Sequence, residues 1–200
     1  MALTTYSELK TAISNWTHRG DIATYADDLV TLAEARINRE VRSTEMETAM
    51  SVTISSGVAA VPTGFLELRH AYVDGSPTQK LYVKSAADIY DKYPNRASTG
   101  KPSYIAYDAG NFIFGPYPDS NYTIKGTYFK LQGPLSSAVY ALFTTNPDLF
   151  LFAALAESAP FLVNDKRVQL WEAKYQQIRD DVNTRSAGSR VGGGLAMSVA

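Results

Sequence analysis

Residues 146–162 read NPDLFLFAALAESAPFL and carry the clearest structural signal in the chain. Asn146, Pro147 and Asp148 are typical of a helix start, because asparagine favours the N-cap, proline the first helical position and an acid the first turn. The segment that follows is apolar on nearly every side, and Pro160 is expected to kink or end it. We therefore expect this helix to be buried, either in the core of its own subunit or against a neighbouring subunit.

Helical periodicity continues on the C-terminal side of this segment and also occupies the N-terminus. Apolar residues recur three and four positions apart as far as about Arg185, which predicts a helical region over residues 147–185. A capping box of Thr5 and Glu8 opens a second helical region over residues 5–42, which we interpret as a helical hairpin. The residues that these stripes place in the core are Trp16, Ile37, Trp171, Tyr175 and Ile178.

Strand patterns fill the middle of the chain, over residues 49–131. The clearest is a hairpin in which Tyr104–Tyr107 and Phe112–Phe114 flank the turn Asp108–Asn111. The sequence thus predicts an α+β fold, a bundle of N- and C-terminal helices with a central antiparallel hairpin or sheet insertion. We expect one domain over residues 1–185 and a flexible, glycine-rich C-terminal arm over residues 186–200.

Composition narrows the possible functions. The 200 residues have a formal net charge of -1, which argues against a dedicated nucleic-acid binder, and they contain no cysteine. The first residues do not show the pattern of a signal peptide, so we expect synthesis in the cytoplasm. The motifs expected for a cofactor, metal or nucleotide site do not occur, and the predicted cofactor set is empty.

Paired carboxylates and tyrosines are the remaining candidates for chemistry. Glu45 and Glu47 are the most plausible acid pair for a glycoside hydrolase, but caps and solvated faces explain such carboxylates more simply. The 13 tyrosines could stack on nucleic acid, yet many follow strand alternation, and tyrosine is favoured in cores and interfaces. Neither feature supports catalysis, and we predict that the protein is not an enzyme.

Three segments together resemble a known family. Residues 6–42 begin YSELKTAISNWTHRGD, residues 101–131 read KPSYIAYDAGNFIFGPYPDSNYTIKGTYFKL, and residues 146–182 read NPDLFLFAALAESAPFLVNDKRVQLWEAKYQQIRDDV. Their order and spacing are similar to those of phage head–tail adaptors and connectors, including tail tubular protein A. The resemblance covers about residues 3–185.

The resemblance implies a structural virion protein at the head–tail junction. Its members form a dodecameric ring under the portal, extend the DNA channel without binding DNA specifically, and present a surface to the tail or nozzle proteins. It implies portal binding by the C-terminal arm, through Arg190, Val191, Leu195, Met197 and Val199. Surplus apolar surface on the buried helix predicts a subunit interface at Phe150, Phe152, Leu155 and Phe161.

Two other functions remain open at this point. A stopper or tail-completion protein would also form a ring in the neck of the particle, and the sequence separates it poorly from an adaptor. A tail-associated peptidoglycan hydrolase would need two facing carboxylates, for which Glu45 and Glu47 are the candidates.

Overall fold

Nine strands and six helices occur in the part of the chain that the computed structural model describes, residues 3–94, 97–162 and 166–190. The predicted α+β class is confirmed, with helices towards both termini and strands between them. The helices are α1 (Tyr6–Thr17), α2 (Ile22–Glu40), α3 (Ala86–Lys92), α4 (Ala141–Thr145), α5 (Pro147–Glu157) and α6 (Arg167–Arg190). The strands are β1 (Glu47–Thr53), β2 (Val58–Ala60), β3 (Phe65–Asp74), β4 (Gln79–Val83), β5 (Thr99–Gly100), β6 (Tyr104–Asp108), β7 (Asn111–Gly115), β8 (Tyr117–Pro118) and β9 (Thr123–Lys130).

Contacts within the chain group it into two compact units, and the single domain over residues 1–185 stays a prediction. A helical unit contains the chain up to Met46 and from Gln132 onward, and a β unit contains Glu47–Leu131. The β unit has an apolar core of its own. This core contains Met50, Ile54, Ala59, Ala71, Val73, Leu81, Ile105, Phe112, Phe114, Ile124 and Tyr128.

Helix α5 forms the centre of the helical unit. It contacts α1, α2, α4 and α6, and seven of its eleven residues are buried. Each fully buried leucine or phenylalanine contributes about 1.5–3 kcal/mol to folding, so this helix is a main source of the unit's stability. The helix begins at Pro147 as predicted, but the side chain of Asn146 donates to the Leu142 carbonyl (3.4 Å) and does not cap α5. The predicted end is also observed, because α5 stops at Glu157 and Pro160 lies in the following 3₁₀ turn, Ala159–Phe161.

Helix α1 shows the predicted capping box. The Thr5 hydroxyl accepts from the Glu8 amide (3.2 Å), and the Glu8 carboxylate accepts from the Thr5 amide (3.0 Å). The helix stops at His18, whose φ of 54° is left-handed and cannot continue it. The short connection to α2 completes the predicted helical hairpin.

Helix α6 extends five residues beyond the end that we predicted from the sequence, since it continues through Arg190 and not to Arg185. Contacts with the end of α2 explain the extension. Asn183 accepts from the Arg42 amide (2.9 Å) and donates to the Glu40 carbonyl (3.0 Å), and the buried Ser186 accepts from the Thr44 amide (3.3 Å). Residues 186–190 are therefore helical, and the predicted arm starts no earlier than residue 191.

The β unit contains a seven-stranded sheet with the order β1-β9-β3-β4-β6-β7-β2. Its pairs are antiparallel except β4 with β6, which is parallel, so the sheet is mixed. The predicted hairpin is confirmed as β6 and β7, joined through Ala109 and Gly110, whose φ angles of 44° and 81° suit a tight hairpin turn. The two remaining strands, β5 and β8, form a separate two-stranded parallel sheet.

Close approach explains one glycine of the central strand β9. A Cβ at Gly126 would lie 2.1 Å from the backbone oxygen of His70, which is closer than any real contact. The pairing of β3 with β9 shifts register between Leu68 and His70 at this point. The irregular pairing brings the two backbones together, so the strand needs a residue without a side chain there.

None of the described helices combines the length and apolarity needed to cross a membrane.

The two tryptophans of the helical unit provide a matched test of its core. Trp171 is 3% exposed and Trp16 is 47% exposed. We expect Trp171→Ala to lower the free energy of unfolding by about 3–5 kcal/mol, because it leaves a cavity. We expect Trp16→Ala to lower it by less than about 1 kcal/mol. Urea denaturation followed by circular dichroism measures both, and equal losses would show that the assignment of Trp171 to the core is wrong.

Candidate interaction surface

Two aromatic pairs, Trp16 with Phe152 and Tyr25 with Phe161, lie on the helical unit and are together called the aromatic cluster here. Trp16 meets the edge of Phe152 with ring centres 5.5 Å apart, and Tyr25 packs on Phe161 at 4.8 Å. Trp16 and Tyr25 are 47% and 43% exposed, while Phe152 and Phe161 are half-buried. Large aromatic rings that are partly exposed and already positioned by their neighbours are typical of protein interfaces, since ordering them on binding costs little entropy.

Two arginines hold the backbone segments that carry the cluster. Arg19 donates to the Phe161 carbonyl (2.9 Å) and is fixed by an ion pair with Asp21. Arg167 donates to the Trp16 and Thr17 carbonyls (3.2 and 3.3 Å). The carbonyls at the end of α1 lack helical partners, so the guanidinium of Arg167 also stabilises that end of the helix. These hydrogen bonds connect the end of α1 and the turn between α1 and α2 to Phe161 and Arg167.

The predicted subunit interface needs a correction at two of its four residues. Phe150 is 1% exposed and Leu155 is 0% exposed, so both belong to the core of the helical unit. Phe150 packs against Phe143 with ring centres 5.3 Å apart. A helix that is apolar all round gives no angular signal to separate its innermost residues from those near the surface. Phe152 and Phe161 are half-buried and remain candidates for a contact between copies.

The residues predicted to lie in the core also differ in how deeply they are buried. Ile37, Trp171 and Tyr175 lie in the core, at 1%, 3% and 0% exposure, and Ile178 is half-buried. Trp16 was predicted to be buried and is 47% exposed, since it lies in the last turn of α1 and meets Phe152 edge-on. Tyr25 was not among the predicted residues, although it lies three residues after Ile22 and four before Leu29, a helical spacing that the sequence shows.

The predicted portal-binding residues lie almost entirely outside the described residues. Arg190 is the last residue of α6, and Val191, Leu195, Met197 and Val199 follow it beyond the described part of the chain. Their role stays a prediction.

An ionic network behind these surfaces joins α2 to α5 and α6. Arg36 donates to both carboxylate oxygens of Glu172 (2.6 and 2.9 Å) and reaches Glu157 at 3.4 Å. Its guanidinium also lies 4.2 Å from the ring centre of Tyr175, whose hydroxyl donates to Glu40 (3.0 Å). A bidentate arginine–carboxylate pair that also stacks on an aromatic ring fixes both distance and orientation. Here it sets the positions of three helices.

The acid pair considered for hydrolysis is engaged in ion pairs. Glu45 lies 3.3 Å from the guanidinium of Arg185 within the helical unit, and Glu47 pairs with Arg69 within the β unit. These ion pairs give both carboxylates a structural role. Across residues 3–94, 97–162 and 166–190, no group of three or more acidic or histidine side chains is placed to hold a metal ion.

The hydrogen bonds from Arg36 hold the pKa of Glu172 below its usual value, although partial burial acts in the opposite direction. A carboxylate with a lowered folded pKa contributes stability that is complete above its unfolded pKa and is lost as the pH falls through the folded pKa. We therefore expect the free energy of unfolding to fall from about pH 5 downward, and less steeply in Glu172→Gln.

At pH 7 we expect Glu172→Gln to be less stable by about 1–2 kcal/mol, at the lower end because part of this side chain is exposed. Asp180→Asn is the control, since Asp180 lies on the same helix in an exposed ion pair with Arg179. Urea denaturation at several pH values measures these differences. An acid dependence that is the same in Glu172→Gln and in the unaltered protein would contradict the role of the network.

A family model described as SU10 adaptor protein matches residues 4–197, which is nearly the whole chain. No curated protein shows significant similarity to it.

Proposed function

We propose a function from one premise: the chain belongs to the SU10 adaptor protein family. This is a phage head–tail adaptor family, so the protein is a bacteriophage adaptor and a structural component of the virion. Its role is to form a ring under the portal, extend the DNA channel and provide the surface on which the tail or nozzle proteins assemble. It performs this role without catalysis.

The aromatic cluster is the observation that supports ring formation. A closed ring is held by heterologous contacts, in which one face of each subunit binds a different face of the next. The exposed rings of Trp16 and Tyr25, backed by Phe152 and Phe161, provide one such face. Aromatic anchors of this kind carry a large share of the binding energy in protein interfaces.

Near-neutral charge supports the proposed conduit for DNA. Tight DNA binding depends on neutralising phosphates with a surplus of lysine and arginine, and the chain has 19 basic and 20 acidic side chains. A ring built from such subunits leaves DNA free to move. The family resemblance implies a dodecameric ring. We therefore include a ring of twelve copies in the proposal.

Electron microscopy of the protein mixed with the portal of its own phage tests this function. We expect a second ring stacked on the isolated portal. A protein that binds only a portal already carrying another adaptor would be a stopper or tail-completion protein, and the adaptor role would be wrong.

Tyr25→Arg tests the aromatic cluster in the same experiment. We expect at least about a tenfold loss of portals that carry a second ring, because burying an unpaired guanidinium in a subunit contact is costly. Val139→Arg is the matched control, since Val139 is 49% exposed and belongs to no described aromatic pair of the cluster. Equal ring formation by both variants would exclude the cluster from the subunit contact.

A further inference from the structure

The β unit contains an apolar groove at the point where β4 leaves β3. Strand β3 pairs with β9 from Phe65 to Asp74 but with β4 only from Ala71 to Val73. Strand β4 then turns to pair with β6 at Tyr82 and Val83. The first half of β3 and the second half of β6 therefore diverge, and a wedge-shaped groove lies between them.

Mostly apolar side chains line this groove, together with Glu67, and its volume is about 460 Å³. Phe65 forms its floor, packed edge-on against Phe112 at 5.3 Å and stacked with Tyr107 at 6.1 Å. Val83 and Tyr107 stand at its rim, and each is 57% exposed. Apolar side chains this exposed beside a half-open apolar groove indicate a surface that another chain covers.

The sequence of the protein contains a segment suited to such a groove. Residues 191–200 read VGGGLAMSVA and carry no charged side chain. Leu195, Met197 and Val199 alternate with the small residues Ala196, Ser198 and Ala200, which is the period of an extended strand with one bulky apolar face. Entry of this segment into the groove therefore desolvates no charged side chain of the segment itself.

We propose that residues 195–200 of one copy bind as an added strand in the groove of a second copy, with Leu195, Met197 and Val199 directed into it. This inference rests on the proposed ring. The contact is heterologous, because the tail of one subunit enters a groove on the next subunit. Strand addition is a common way in which one chain binds another. The glycine-rich residues 191–194 connect the segment to α6 and span at most about 14 Å. In this proposal the segment binds a neighbouring copy, whereas the family resemblance implied that it binds the portal.

Disulfide trapping in the full-length protein tests the inference, because the chain has no cysteine of its own. One preparation carries Val83→Cys at the groove rim and a second carries Met197→Cys in the tail. The two are mixed, with and without portal, and oxidised. The matched control replaces Val83→Cys with Tyr82→Cys, since Tyr82 is the preceding residue of β4, is 56% exposed and lies outside the groove lining.

We expect a disulfide-linked dimer from the Val83→Cys mixture, at least about tenfold more than from the Tyr82→Cys control. Equal yields from the two mixtures, or no dimer from either, would overturn the inference. Trapping only within a single chain that carries both Val83→Cys and Met197→Cys would assign the groove to the tail of its own copy, and would also overturn it. Any of these failures leaves the proposed function standing if a second ring still forms on the portal.

Discussion

The contact between Arg36 and Glu172 is the constraint on which the arrangement of the helical unit depends. Helix α5 is apolar on nearly all sides and can pack in several rotational settings, because burial is not directional. The bidentate pair, with Tyr175 stacked beneath the guanidinium, permits only one relation between α2 and α6. Glu157 at the end of α5 joins the same arginine. Removal of Glu172 would end the bidentate contact and leave Arg36 with its longer ion pairs to Glu40 and Glu157.

This constraint has a consequence at the surface. With α2, α5 and α6 fixed, Trp16 packs against Phe152 and Tyr25 packs against Phe161, and Arg19 and Arg167 hold the backbone segments that carry these pairs. The aromatic cluster is therefore a preformed surface. A preformed surface suits a protein that must join identical copies in a closed ring, because little conformational freedom is lost on assembly.

Local signals in the sequence were sufficient for the elements, and long-range packing decided the rest. The capping box at Thr5, Pro147 at the start of α5, Pro160 after its end and the hairpin of β6 and β7 were all predictable, since each depends on residues a few positions apart. The ion pair of Arg36 with Glu172 joins residues 136 positions apart and leaves no trace in periodicity. The same limit explains Phe150 and Leu155, whose burial depends on which helices surround α5, and the extension of α6 to Arg190, which depends on contacts with the end of α2.

Hydrogen–deuterium exchange provides the most direct test of the claim that the aromatic cluster is a contact between copies. Backbone exchange would be compared between the free protein and the protein assembled on its portal. The account predicts added protection at residues 15–25 and 159–162, which carry the cluster, and little change along the exposed residues of α6 from 173 to 181. Assembly with unchanged exchange at residues 15–25 and 159–162 would contradict it, because the copies would then be joined through another surface.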